Sequence, residues 1–164
     1  MNPTARIGPF TVGAERPLLL IAGPCVIESL DHCLRLCRAI AAIAARFELP
    51  YVFKASFDKA NRSSGDSFRG PGLEDGLQTL ARVKRECGVP VLSDVHEPQQ
   101  AKSAGEVLDC QQVPAFLCRQ TDLLLACGRA GKCVNGKKGQ FLAPEKMRLA
   151  AEKIRSAGSA EVIL

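Results

Sequence analysis

The side chains able to do chemistry gather at recurring places in this chain. Tyr51 to Gly72 reads YVFKASFDKANRSSGDSFRGPG: an apolar strand, Tyr51-Val52-Phe53, stops on Lys54 and runs into a loop with Lys59, Asn61, Arg62, Ser63, Ser64 and Arg69. Amide and hydroxyl donors can orient the oxygens of a phosphate, Lys supplies point charge, and Arg adds a two-pronged grip. A loop can also be basic merely because it is solvated. What favours an anion site is repetition: Cys25, Asp94 with His96, Gln112 and Lys137 each stand where another apolar run ends.

Those runs must be positioned by the rest of the chain. Ala5 to Pro17 holds two short apolar pieces around Gly and Pro, which predicts a small hairpin in residues 1–17 ahead of the main fold. Pro17 to Ala22 is continuously apolar, as in a strand buried on both faces of a parallel sheet. Ser29 is placed to cap a helix on which Cys33, Cys37, Ile40, Ala44 and Phe47 recur at helical spacing and define a buried face. Further strands are predicted at Tyr51–Ser56, Val89–Asp94, Val107–Val113, Cys133–Lys137 and Glu161–Leu164. Helices are predicted at Leu73–Cys87 (stopped by Gly88), as a short helix with Pro98 in its first turn, from Thr121 toward Gly131, and over Pro144–Ala157.

The pattern is βα repeated, five complete units and the start of a sixth strand, which requires parallel strands with right-handed crossovers. A doubly wound sheet and a (β/α)₈ barrel both satisfy it. The first turn lacks G-x-G-x-x-G, against the dinucleotide-binding version. Polar residues at the C-terminal ends of successive strands are where barrel enzymes keep their chemistry. The expectation is therefore a partial (β/α)₈ TIM barrel over residues 18–164, truncated within the sixth strand.

Composition bounds the partners. With 164 residues, 46% of them hydrophobic, the chain can bury a core of its own. The net charge of +5 is scattered, there is no Trp and one Tyr, and base-stacking platforms are scarce, so nucleic acid is not the expected partner. No apolar run is long enough to cross a membrane, and Met1 to Arg16 lacks the apolar core of a secretion signal. None of the eight cysteines forms a C-x-x-C pair; reduced thiols in a cytoplasmic protein are expected, with Cys33 and Cys37 in the core.

Taken together, GPCVIES, YVFKASFDKANRSS, SFRGPG, SDVHEP, QVPAFLCRQTDL and KKGQF resemble the 3-deoxy-D-manno-octulosonate 8-phosphate synthase family over nearly all of residues 18–164. KANRSS is the most discriminating part, because the related aromatic-pathway synthases carry Lys-Pro-Arg-Thr-Ser there. The resemblance implies condensation of phosphoenolpyruvate with arabinose 5-phosphate, for lipopolysaccharide. It implies Lys54, Gln112, Ala115, Lys137 and Gln140 at the phosphoenolpyruvate end. It implies Lys59, Asn61, Arg62 and Ser63 on the sugar phosphate, with Lys59, Asn61, Asp94 and His96 as catalytic residues. Cys25 in GPC implies the metal-dependent type, with zinc or iron, or manganese, and no organic cofactor. A homo-tetramer in the cytoplasm is implied as well. Two departures from the family stand inside strands: Gln111 where an apolar residue is usual, and Gly136 in place of a β-branched one, which is expected to weaken its strand and leave a packing gap. They and the truncated pattern set up the alternative, a non-catalytic product that binds anions weakly.

Overall fold

A computed structural model describes residues 4–158 and 161–164. The predicted hairpin is present: β1 (Thr4–Ile7) and β2 (Phe10–Gly13) pair antiparallel, turning at Gly8 in the left-handed region (φ 55°). Next come β3 (Leu20–Ala22), α1 (Leu30–Arg46), β4 (Tyr51–Lys54), α2 (Leu73–Cys87), β5 (Val91–Asp94) and α3 (Gln100–Val107). The chain continues through β6 (Cys110–Val113), α4 (Thr121–Arg129), β7 (Cys133–Gly136), α5 (Met147–Ser156) and β8 (Val162–Ile163). Short 3₁₀ turns at Ala115–Leu117 and Pro144–Lys146 complete it.

The six strands β3 to β8 form one parallel sheet in strictly sequential order, β3-β4-β5-β6-β7-β8. A doubly wound sheet reverses its order at a switch point; a barrel does not. The architecture is a curled arc of the (β/α)₈ barrel type, with the hairpin beside it.

Strand alternation sorts the core into two layers. Phe53, Val91, Val113 and Val134 face the helices, meeting Cys33 and Cys37 of α1, Leu77, Leu80 and Val83 of α2, Ala101 and Ala104 of α3, Leu123 and Cys127 of α4 and Ile154 of α5. Val52, Leu92, Cys110 and Cys133 face the inside of the arc, where Ile7 of the hairpin is fully buried against them. The hairpin thus closes the floor of the arc.

Local chemistry explains the ends. The Ser29 hydroxyl accepts the His32 backbone N–H at 3.1 Å and caps α1, and Gly88 (φ 67°) stops α2. Gly76 on α2 is required by packing: a Cβ there would lie 2.3 Å from the Phe57 Cβ. Burial pushes the thiols of Cys33 up to about 11 and of Cys37 and Cys127 up to about 12, with Cys87 adding to the shift at Cys37. These are core residues, as expected.

Four expectations need correcting. Phe47 is 65% exposed, because it caps α1 rather than continuing its buried face. Val107 ends α3 and does not start a strand; Leu108 and Asp109 make the turn and β6 begins at Cys110. Pro98 lies in the turn before α3, its carbonyl accepting from Ala101 N, rather than in the helix's first turn. The buried Gly136 leaves little space, since a Cβ would meet Leu164 Cδ2 at 3.3 Å and Met147 Cε at 3.6 Å.

Candidate active site

Alternation along β4 to β7 sends Lys54, Asp94, Gln112 and Asn135 to the inside of the arc at its C-terminal end. Register aligns them: Asp94 pairs with Gln112, and Gln112 with Asn135. Ser56, just past β4, joins the same row. Above them lies a cleft of about 790 Å³, lined by Ile21, Lys54, Lys59, Ala60, Asn61, Asp94, His96, Gln112 and Asn135, with Ala115, Phe116, Lys137 and Gln140 among the groups at its rim.

Asp94 is the hub of the cleft. Its Oδ2 accepts a hydrogen bond from the Ser56 hydroxyl and its Oδ1 one from Gln112 Nε2. Lys54 Nζ and Lys59 Nζ each stand 3.6 Å from Oδ2, and Lys54 also donates to Ser56 Oγ at 2.8 Å. Asn135 Nδ2 donates to Gln112 Oε1 at 2.9 Å. Burial pushes the Asp94 carboxyl up, but Lys54, the Ser56 and Gln112 hydrogen bonds and Lys59 outweigh it, and the group sits below the ordinary carboxylate range. Lys54 is displaced downward, by burial first and by the neighbouring Lys59, against the attraction of Asp94.

His96 is half-buried, its ring edge-on to Phe57 at 5.8 Å between centroids and 86° between planes. Its backbone N–H donates to Gln100 Oε1 at 2.9 Å, while its ring Nδ1 is buried with no partner among the described residues. Burial lowers its pKa below the ordinary histidine value, against the pull of Asp94 and Asp58. At neutral pH the ring is a neutral imidazole, able to take or give a proton.

The KANRSS loop is pinned where it leaves and rejoins the barrel. Lys59 N donates to Arg69 O at 2.7 Å, and the Arg69 guanidinium grips Asp58 at 2.8 and 2.5 Å. Its tip faces outward: Arg62 Nε donates to Phe68 O at 3.2 Å, and Arg62 and Ser63 are exposed and do not line the cleft. The GPC turn serves packing as well as chemistry. A Cβ at Gly23 would lie 2.1 Å from the Lys54 carbonyl oxygen, so only glycine lets this turn approach β4.

Cys25 is exposed, near Lys54 but not in the cleft lining. Among the described residues no group of three His, Cys, Asp or Glu side chains could hold a metal ion. One thiol supplies one ligand and does not by itself make a metal centre.

The structure therefore brings Lys54, Lys59, Asn61, Asp94, His96, Gln112, Ala115, Lys137 and Gln140 together and leaves Arg62, Ser63 and Cys25 outside. Sequence reasoning passed over Ser56 and Asn135. Each lies two residues from a singled-out lysine, Lys54 or Lys137, and period-two alternation is the signal that would have found them.

Comparison with known proteins gives the family. The model of the DAHP synthetase I family matches residues 4–164. Curated relatives include the 2-dehydro-3-deoxyphosphooctonate aldolase of Cyanothece sp., 55% identical over 155 residues, 94% of this chain and 57% of that protein. The protein of the same name from Koribacter versatilis is 56% identical over 147 residues (90% and 53%), and that from Syntrophotalea carbinolica 51% over 164 residues (100% and 59%). The chain spans a little over half the length of these relatives. By the family match and by these identities, it belongs to the DAHP synthetase I family, among relatives that are 2-dehydro-3-deoxyphosphooctonate aldolases.

Proposed function

We propose that the protein to which this chain belongs condenses phosphoenolpyruvate with D-arabinose 5-phosphate, giving 3-deoxy-D-manno-octulosonate 8-phosphate and inorganic phosphate for lipopolysaccharide synthesis. The observation that carries the reading is the Asp94 carboxylate held between Lys54 and Lys59 at the base of a cleft, inside a chain whose relatives bear the aldolase name.

Two anionic reactants repel each other, and a low-dielectric cleft amplifies every unpaired charge. Lys54, Lys59 and Lys137 supply fixed positive charge, and Asp94 keeps the two half-buried lysines Lys54 and Lys59 apart and oriented until an anion arrives. Lys54, Gln112, Ala115, Lys137 and Gln140 form the phosphoenolpyruvate end. Lys59 and Asn61 lie toward the aldose, and Arg62 and Ser63 would reach the sugar phosphate only if the loop tip turns inward. In the reaction the enol methylene carbon attacks the aldehyde. Water adds to the cationic carbon, and the tetrahedral intermediate expels phosphate. Neutral His96, beside Asp94, is placed to handle the proton of the new hydroxyl. A divalent metal bound through Cys25, in a tetramer of the full-length protein in the cytoplasm, belongs to the same proposal.

The test is phosphate release by the full-length gene product with phosphoenolpyruvate and either arabinose 5-phosphate or erythrose 4-phosphate. A clear preference for the five-carbon aldose is expected, with activity falling on exhaustive chelation. Equal specificity constants would overturn the substrate reading; full activity after chelation would remove the metal. Phosphate binding without turnover would leave only an anion binder.

A further inference from the structure

Asn135 lies outside the set of residues expected to act, yet it ends a hydrogen-bond chain whose polarity is set at the far end. An ionised carboxylate can only accept. Asp94, with Lys54 and Lys59 each 3.6 Å away, is ionised, so Gln112 must turn its amide nitrogen toward Oδ1. That turn leaves Gln112 Oε1 facing β7, where Asn135 Nδ2 donates to it at 2.9 Å. The register that sets Asp94 beside Gln112 and Gln112 beside Asn135 makes the arrangement a property of the sheet rather than of loose side chains. Without a donor at position 135, Gln112 would have an unpaired carbonyl oxygen in a half-buried row and reason to rotate away. If it reversed, that oxygen would confront Asp94.

We propose that Asn135 is a positioning residue: it locks the Gln112 amide in the orientation that donates to Asp94, and thereby keeps Asp94 turned to Lys54 and Lys59. It acts through Gln112 and need not touch a reactant. The inference concerns the cleft proposed above for the condensation, but its first test needs no substrate.

The groups that face Asp94 are Lys54 and the Ser56 hydroxyl from β4 and its extension, Lys59 from the following loop, Gln112 from β6, and His96 beyond β5. All are kept in the experiment except Gln112, which is the control. The Asp94 carboxyl carbon is followed by NMR against pH in the full chain, in four forms: unchanged, Asn135→Leu, Gln112→Leu, and both together. Asn135→Leu is close in size and carries no charge. It is expected to raise the proton affinity of Asp94 roughly three- to tenfold, as loss of an oriented hydrogen bond to the charged form requires. On the Gln112→Leu background the same change is expected to do less than about twofold, because the relay is already gone.

If Asn135→Leu fails to fold, Asn135→Asp keeps the shape. Its added charge acts on both backgrounds, so the difference between backgrounds is the quantity read. Equal shifts with and without Gln112, or no shift at all, would overturn the proposal. In an active full-length enzyme the acid limb of kcat/KM should move with the NMR shift. If the enzyme proves inactive while the NMR cycle holds, the condensation reading fails and the positioning role of Asn135 stands.

Discussion

Gln111 and Gln112 are neighbours in sequence and point to opposite sides of the sheet. Gln112 donates to Asp94 in the cleft, whereas Gln111 is turned into the helical layer, fully buried, donating to the Ala101 carbonyl at 2.8 Å and leaving its Oε1 with no partner among the described residues. The same residue type is therefore part of the site at one position and a burden at the next.

Replacing Gln111 should stabilise the protein. Gln111→Leu conserves volume and removes an orphaned buried oxygen, a group that costs about 1–3 kcal/mol. The Ala101 carbonyl lies within α3 and keeps its helical partner. A gain of about 1 kcal/mol, or roughly 2–4 °C in Tm, is expected in thermal melts. A loss of stability would mean that the amide is better satisfied than its hydrogen bonds indicate.

Removing the hub carboxylate should separate binding from turnover. Asp94→Asn leaves Lys54 and Lys59 without their counter-charge, so inorganic phosphate should bind more tightly in calorimetry. Condensation by the full-length protein should fall on the order of 10²-fold or more. Breaking a buried pair on one side costs about 3–5 kcal/mol, and urea melts should show most of that restored by phosphate. Unchanged phosphate affinity would argue against an anion site here.

The pH dependence of stability has a sign for each buried group. The folded-state pKa of Asp94 is depressed, so its contribution is present above the ordinary carboxylate value and is lost as pH falls through the lower folded value. For His96 the folded state prefers the neutral ring: folded and unfolded chains bind the same proton count well below both pKa values, and stability rises as pH climbs toward the ordinary 6.5. His96→Gln should flatten that rise below the ordinary histidine value while leaving the acid loss from Asp94 in place. A profile that keeps the rise after the substitution would assign it elsewhere.

Among the described residues β3 and β8 are the edge strands of the sheet, beside exposed Leu18 and Leu164, and both edges stand open in an isolated segment. Such edges recruit other chains, and a few hundred Å² of wet apolar surface is worth several kcal/mol at about 25 cal/mol per Å². Self-association in size-exclusion chromatography and ready proteolysis are expected. A protease-resistant monomer with a sharp melt would show that the arc suffices by itself.

What was legible in the sequence followed strong local signals. The span of α2 was read correctly because apolar period and Gly88 agree, and the hairpin was read from Gly and Pro spacing. Val107 and Leu108 misled because a short apolar pair looks alike at a helix end and a strand start. Cys33 and Cys37 were read correctly as core from their spacing alone. Ser56 and Asn135 were missed because a small polar residue in a strand has no chemistry until its register neighbours are known. Arg62 and Ser63 were assigned to the sugar phosphate by resemblance; both are exposed and neither lines the cleft.

Gly76 gives the outer layer a hold on the chemistry. It lets α2 rest directly on Phe57, and Phe57 is the surface against which the His96 ring stands. A single added methyl group on the outside helix would press Phe57 inward and tilt the imidazole, with no change to any residue in the cleft. Position 76 should therefore behave in a genetic screen as an active-site position: alleles there would lose turnover before they lost the fold.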